Sequence, residues 1–149
     1  PEQGARTGRE RGGARVSAFP APRRTPVNEP FWEGVDAGEL RLQHCPDCGL
    51  VNFPPRVRCP DCFAEMEWRP ASGEGTVYSF GVVHRPNQPA VFESRLPLVL
   101  VVVELAEGPR LVSNVRAAPD EVAVGDPVRV RFETVAEGVV LPLFDPVAD

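Results

Sequence analysis

The chain has 149 residues, and 16 cationic against 21 acidic residues give it a formal net charge of −5. Every cationic residue is arginine, so no lysine Schiff base can form, which excludes a lysine-dependent aldolase or a pyridoxal phosphate enzyme within this chain. The sequence has no run of about 18 apolar residues and opens without an apolar signal stretch, so we expect a cytoplasmic protein with no membrane span.

The first 27 residues differ in composition from the rest. They are mainly Gly, Arg, Ala and Pro with almost no large apolar side chain, and such a segment buries too little surface to order itself. We therefore predict a flexible linker or tail over residues 1–27. Because the first residue is Pro1 and not methionine, we expect an excised fragment whose tail joins it to an upstream domain.

Charge divides the chain into a basic and an acidic part. Residues 1–30 carry six arginines and three acidic residues, whereas residues 31–149 carry ten arginines and eighteen acidic residues, a net charge of −8. Proteins that hold nucleic acid by its phosphates normally present a basic face. The acidic body therefore disfavours nucleic acid as a partner.

Residues 28–41 predict a short helix and its lead-in to the next segment. Asn28 is suited to cap the helix, Pro30 to its first turn, and Gly38 to its end. Phe31 and Trp32 are adjacent and do not share one narrow helical stripe. The sequence leaves open whether both pack in the core or one of them contacts a partner protein.

Four cysteines form two near-identical knuckles. Cys45 and Cys48 lie in one Cys-Pro-Asp-Cys turn, and Cys59 and Cys62 lie in a second turn ten residues further on. Each turn presents two thiolates, and two turns complete the tetrahedral shell of a zinc ion. A redox dithiol normally occurs as a single pair before a helix, and paired disulfides need a secreted chain. The pattern predicts a structural Zn²⁺ site in a ribbon over residues 42–70.

Residues 71–149 carry the patterns of five short strands joined by Gly and Pro turns. In residues 76–84, alternation predicts that Tyr78, Phe80 and Val82 share one face of a strand, and we expect Tyr78 to lie in the core. The apolar run over residues 98–103 predicts a strand buried on both faces. The predicted fold is mainly β, with a short N-terminal helix, a rubredoxin-like zinc ribbon and a five-stranded OB-fold barrel.

Several motifs occur in a fixed chain order between residues 28 and 146. They are the two cysteine knuckles together with residues 30–34, 38–40, 53–55, 73–77, 103–110, 124–128 and 141–144. In this order they resemble one known family, the zinc-ribbon plus OB-fold family of acyl-CoA-associated proteins called domain of unknown function thirty-five. One departure is Phe63, which follows the second knuckle where a glycine is common.

The resemblance implies a partner and a role. Members of this family accompany thiolase-like enzymes, and some are fused behind a MaoC-like hydratase domain, as in the large subunits of steroid side-chain enoyl-CoA hydratases, to whose C-terminal domain this chain is most similar. That implies a non-catalytic accessory domain in a hetero-oligomer with a thiolase-like aldolase. The aldolase would cleave a β-hydroxyacyl-CoA in steroid side-chain degradation and release propionyl-CoA, with this domain activating it and helping to hold the acyl-CoA.

Arginine is the residue type best suited to the phosphates of coenzyme A, because its guanidinium donates bidentate hydrogen bonds. The chain itself has no free thiol, no lysine and one unassigned histidine, so no catalytic residue is predicted and the active site is expected on the partner. Phe31 and Trp32 are the candidate contacts to that partner. The candidate acyl-CoA residues, each also readable as an ordinary solvated side chain, are Arg56, Arg58, His84, Arg85, Asn114 and Arg116.

Two other functions remain open from the residues. Zinc ribbons and OB barrels both occur in proteins that bind nucleic acid, although two Trp and one Tyr leave few stacking platforms. A stand-alone acyl-CoA enzyme would need His84 as a general base with Tyr78 or Ser79 nearby. Since Tyr78 and Ser79 point to opposite faces of one strand, they cannot both face His84.

Overall fold

The structure is a computed structural model, and it describes residues 19–85 and 92–148. Within these residues one helix, α1 (Glu29–Asp36), precedes eight strands, and short 3₁₀ turns cover Glu93–Arg95 and Pro119–Glu121. The strands are β1 (Arg41–His44), β2 (Val51–Asn52), β3 (Glu67–Pro70), β4 (Glu74–Val83), β5 (Leu98–Leu105), β6 (Arg110–Val115), β7 (Pro127–Ala136) and β8 (Val139–Pro146).

Helix α1 begins after Asn28 and carries proline in its first turn, as the sequence predicts. The predicted side-chain cap is wrong, however, because the Asn28 Oδ1 accepts the backbone N–H of Thr25 (2.7 Å) and its amide donates to the carbonyl of Arg23 (3.1 Å). The asparagine thus holds the preceding turn rather than the helix end. Residues 1–18 of the predicted tail lie outside the described residues.

The ribbon is a three-stranded antiparallel sheet in the order β2-β1-β3. Its loop before the second knuckle is held by one buried amide. The Gln43 side chain donates to the carbonyl of Arg56 and accepts its N–H, each at 2.8 Å. Such paired bonds satisfy a buried amide and fix the backbone that leads into the second knuckle.

The five remaining strands close into a barrel in the order β4-β5-β6-β8-β7, which confirms the predicted five-stranded barrel. All neighbours pair antiparallel except β6 and β8, which pair in parallel at Val115 and Phe144. This is the order of a Greek-key barrel, since the last strand, β8, returns to lie between β6 and β7. Closure leaves a single interior, and Phe144 is fully buried inside it.

One continuous core joins the helix, the ribbon and the barrel. Phe31 is 4% exposed, and its ring packs against those of Trp32 (centroids 5.0 Å) and Phe53 of the ribbon (5.3 Å). Leu40, just before β1, and Leu42, within β1, belong to the same buried cluster as the barrel valines. The two modules therefore share apolar contacts, and we expect them to depend on each other for stability.

Two sequence predictions about the barrel strands are wrong. Tyr78 is 48% exposed because a β-bulge between Val77 and Ser79 shifts the alternation by one residue, so that Val77 takes the buried position. Strand β5 alternates instead of being buried on both faces: Val99, Val101 and Val103 are buried, while Leu100 is 42% exposed. A closed barrel of this size has only one interior face per strand, so half of the apolar run faces outward.

Candidate metal centre and ligand cleft

The four cysteine sulfurs converge at the tip of the ribbon. The Sγ atoms of Cys45 and Cys62 are 3.4 Å apart, those of Cys48 and Cys59 are 3.6 Å apart, and all four lie within 4.8 Å of one another. Neighbouring sulfurs of a tetrahedral shell with Zn–S bonds of about 2.3 Å are about 3.8 Å apart. The donor set and its spacing fit a structural zinc ion, which leaves no open position for a substrate.

Both knuckles have the same backbone construction. In the first knuckle, the backbone carbonyl of Cys45 accepts the N–H of Gly49 (3.0 Å). In the second, the backbone carbonyl of Cys59 accepts the N–H of Phe63 (3.0 Å). The two donor residues have positive φ angles, 76° at Gly49 and 63° at Phe63. A side chain in this conformation costs about 1 kcal/mol or more relative to glycine, so Phe63 strains the turn without changing its geometry.

Four thiols at this spacing cannot all ionise without a cation. The backbone N–H of Cys48 is the main cause that lowers the pKa of Cys45 to about 7. The backbone N–H of Ala64 lowers the pKa of Cys62, but hydrogen bonding to the neighbouring thiols and burial outweigh it and raise the pKa of Cys62 to about 12. A divalent cation removes this conflict, because a thiol that coordinates it is deprotonated outright.

A cleft of about 500 Å³ lies at one end of the barrel, where the segment before β5 meets β6, β7 and β8. Its walls are partly apolar, and Phe19 packs edge-on against Phe92 there (centroids 5.5 Å). The guanidinium of Arg95 lies 5.8 Å from the Phe19 ring centroid. Asn114, Arg116 and Glu133 also line the cleft. The cleft therefore brings apolar side chains together with a few charged and polar groups.

Glu133 is the central charge of this cleft. Its carboxylate accepts hydrogen bonds from Arg95 (3.2 Å) and from Arg116, and only 15% of its side chain is exposed. Burial raises the pKa of Glu133, but the hydrogen bond from Arg116 and the charges of Arg116, Arg95 and Arg131 outweigh it and hold this pKa below its ordinary value. The carboxylate stays ionised and fixes both guanidinium groups at the cleft.

Replacing Glu133 with glutamine is expected to lower the free energy of unfolding at pH 7 by about 1–3 kcal/mol, because two guanidinium groups lose a charged acceptor. Since the folded-state pKa is depressed, the wild-type advantage is fully present above the unfolded pKa of about 4.3 and is lost as pH falls through the folded pKa. Urea unfolding at a series of pH values measures this. Glu74→Gln, which breaks an exposed pair with Arg129, is the control and should change little.

The pH dependence of stability decides whether Glu133 has the role assigned to it. A stability difference between the wild type and Glu133→Gln that stays constant from neutral pH to well below the unfolded pKa would contradict the role assigned to Glu133.

The candidate acyl-CoA residues fall into three places. Asn114 and Arg116 line the cleft together. Arg56 and Arg58 are exposed in the ribbon loop, where Arg58 pairs with Glu65 (3.4 Å), and the exposed His84 and Arg85 follow the end of β4. Sequence reasoning missed Arg95 and Glu133, which lie 38 residues apart in the chain and meet only in the fold.

The structure does not bring Tyr78 to His84, as a stand-alone acyl-CoA enzyme with His84 as its general base would require. Tyr78 and His84 are six positions apart at and beyond the end of extended strand β4, which places them roughly 20 Å apart. The ring of Tyr78 lies instead under the guanidinium of Arg110, 3.6 Å from its centroid. For the helix candidates, Phe31 packs inside the chain, and the predicted partner contact through α1 rests on the half-buried Trp32.

A ribbon with four clustered thiols followed by a closed five-stranded barrel defines a protein of the zinc-ribbon and OB-fold class. Two family models match in that order: the ChsH2 rubredoxin-like zinc ribbon domain over residues 32–68, and the ChsH2 C-terminal OB-fold domain over residues 68–133. The chain belongs to the DUF35 family and to its ChsH2 type. The zinc ribbon, its structural Zn²⁺ and the OB-fold are thereby confirmed.

Three relatives show the setting in which such chains occur. A solved structure described as the Ltp2-ChsH2(DUF35) aldolase contains a chain that is 35% identical, with a TM-score of 0.76 over 84% of this chain and 98% of that one. The 3-oxo-4,17-pregnadiene-20-carboxyl-CoA hydratase alpha subunit of Mycobacterium tuberculosis is 40% identical over 103 residues, 68% of this chain and 32% of that protein. The benzoylsuccinyl-CoA thiolase subunit BbsA of Thauera aromatica is 28% identical over 99 residues, 66% of each chain.

The chain spans about a third of the length of the two hydratase alpha subunits that it matches. Among the residues that the structure describes, no helix is both long enough and apolar enough to cross a bilayer.

Proposed function

We propose that this chain is a non-catalytic accessory domain that binds and activates a thiolase-like aldolase. The observation that carries this proposal is the match to a DUF35 chain of an aldolase assembly over 98% of that chain's length. A thiolase subunit and a steroid CoA-thioester hydratase subunit among the relatives support the same chemical setting. The substrate is a β-hydroxyacyl-CoA of steroid side-chain degradation, and the products are propionyl-CoA and a ketosteroid.

The side chains support an active site on the partner. A retro-aldol cleavage needs a base near the β-hydroxyl group, and the four thiols of this chain are assigned to zinc. His44 ends strand β1 beside a zinc ligand, and His84 is exposed at the end of β4. The chain has no lysine. A MaoC-like hydratase domain preceding this chain would supply the β-hydroxyacyl-CoA by hydrating an enoyl-CoA.

The cleft supports the second part of the proposal, that the domain helps to hold the acyl-CoA. Arg95 and Arg116 present guanidinium groups at its rim, with 32% and 45% of their side chains exposed. Glu133 holds them in place while leaving further N–H donors free to reach phosphate oxygens. The apolar walls suit the uncharged part of the same molecule.

The test is reconstitution of the aldolase from this chain and the thiolase-like subunit of the same organism. We expect the two proteins to co-elute, and we expect propionyl-CoA release from a steroid β-hydroxyacyl-CoA to be at least about tenfold faster with both than with either alone, about 1.4 kcal/mol in the barrier. If the two proteins do not co-elute and the rate does not change, the accessory role is refuted.

The acyl-CoA contact has its own matched pair of variants. Arg116→Ala should raise the KM for the acyl-CoA about tenfold, because a charged hydrogen bond is worth about 1.5–3 kcal/mol. Arg129→Ala removes another ion-paired barrel arginine, which lies outside the cleft, and should leave KM unchanged. Equal KM values for the two variants would remove the cleft from the proposal and leave the accessory role intact.

A further inference from the structure

The outer surface of the barrel carries an apolar patch across three neighbouring strands. It consists of Tyr78 on β4, Leu100 and Val102 on β5, and Val112 on β6, and we call it the outer sheet patch. Val102 pairs with Val112 and with Ser79, the neighbour of Tyr78, so these side chains form one row across the sheet. Leu100 lies in the next row on the same face.

Three of these four side chains are exposed although they are largely apolar, and Val102 is half-buried. Tyr78 is 48% exposed, Leu100 42% and Val112 71%, whereas the alternate residues of β5 fill the barrel. The outward side of a half-buried strand is ordinarily polar. Among residues 19–85 and 92–148, Arg110 lies over the Tyr78 ring, but Leu100 and Val112 stay exposed. A contiguous exposed apolar patch of this kind is the mark of an interaction surface.

The charges around the patch identify the kind of partner. Arg110 is bound to Glu104 (3.0 Å) and lies over the Tyr78 ring, so the rim is neutral and the ring face is already occupied. Strands that bind single-stranded nucleic acid need a basic groove and free aromatic faces. A neutral apolar centre with a tyrosine and a polar rim is instead typical of a protein–protein contact.

The patch also adjoins the cleft. Asn114 pairs with Leu100 at the edge of the patch, and the same Asn114 lines the cleft. A protein seated on the patch would therefore lie next to a residue that lines the cleft. Among the possible protein partners, the one that must reach an acyl-CoA held there is the subunit that carries the catalytic groups.

We propose that the outer sheet patch is the docking surface for the thiolase-like subunit. This inference rests on the proposed function and adds the surface through which it operates. The patch spans the first three barrel strands, and so includes the second and third, whose face OB-folds generally use to bind their ligands. Here that face is apolar and neutral, and its complement is an uncharged apolar strip on the thiolase-like subunit.

The test places one charge in the patch and one at an equally exposed valine elsewhere. Val112→Glu introduces a carboxylate in the patch, and Val57→Glu introduces the same group at a ribbon valine that is 73% exposed. Binding of the thiolase-like subunit is measured by titration calorimetry or by immobilising one partner on a sensor surface.

We expect Val112→Glu to weaken binding at least about tenfold and Val57→Glu to leave it unchanged. Leu100→Gln is a second patch variant with the same expectation, and zinc content and the urea midpoint show that each variant is folded.

The possible results separate the two proposals. If the unmodified chain does not bind the subunit at all, the proposed function fails, and the docking surface fails with it. If the unmodified chain binds and both patch variants bind equally well, only the docking surface fails. The assignment is also overturned if sedimentation shows that the patch variants convert a dimer of this chain into monomers, because the patch is then covered by a second copy.

Discussion

Replacing Cys59 with serine is expected to abolish zinc binding and to unfold the ribbon. The ribbon strands have four, two and four residues, too few to support a core of their own. Structural zinc contributes an apparent 10–16 kcal/mol in zinc-finger peptides, and that stabilisation is lost with one ligand. Because the buried leucines before and within β1 belong to the same core as the barrel, we expect the barrel to lose stability as well.

The comparison that isolates the metal uses two cysteines with opposite burial. Cys59 is buried, whereas Cys48 is exposed, yet both contribute a sulfur to the cluster. If zinc holds the ribbon, Cys48→Ser and Cys59→Ser should reduce zinc content and circular dichroism alike. Asp61→Ser, an exposed change in the second knuckle, should leave both unchanged. Full zinc content in Cys48→Ser with loss of structure only in Cys59→Ser would show that packing, not metal, is responsible.

Replacing Phe31 with alanine is expected to lower the free energy of unfolding by about 3–5 kcal/mol, since it removes a buried ring and leaves a cavity. Phe31 packs against Phe53 of the ribbon and belongs to the core that continues into the barrel. Its loss should therefore weaken both modules. The measurement is urea unfolding followed by tryptophan fluorescence, because Trp32 and Trp68 both pack against this core.

Phe63→Ala is the matched control for the loss of an aromatic ring. Phe63 is 75% exposed, so its removal should change the free energy of unfolding by no more than about 0.5 kcal/mol. A destabilisation by Phe31→Ala of that same small size would mean that helix α1 is not required to join the ribbon and the barrel.

The zinc ligands illustrate a feature that could be predicted from sequence because it is local. Two thiolates in one tight turn are brought together by the turn itself, and Gly49 supplies the positive φ that the first knuckle needs. The strands of the barrel were predictable for a similar reason, since each is a short apolar pattern ended by Gly or Pro. The DUF35 resemblance rested on these same local motifs in order.

The side-chain directions in β4 and β5 were less predictable. A single extra residue at Tyr78 inverted the alternation, and no glycine or proline stands at the bulge itself. In β5 an unbroken apolar run predicts burial on both faces, but a barrel offers only one interior. The outward half of that run became visible as the outer sheet patch only after the strands were paired.

By itself, the sequence determined which side chains bind the metal and how many strands form the barrel. It also determined that Schiff-base chemistry is excluded, because the chain has no lysine. Each of these depends on residue type or on spacing within a few positions. Only the tertiary structure decided that Glu133 joins Arg95 and Arg116, which are 38 and 17 residues away, and that Asn114 and Arg116 share a cleft while Arg56 and Arg58 lie elsewhere. Closure of the barrel brings distant strand ends together, and separation along the chain carries no record of that proximity.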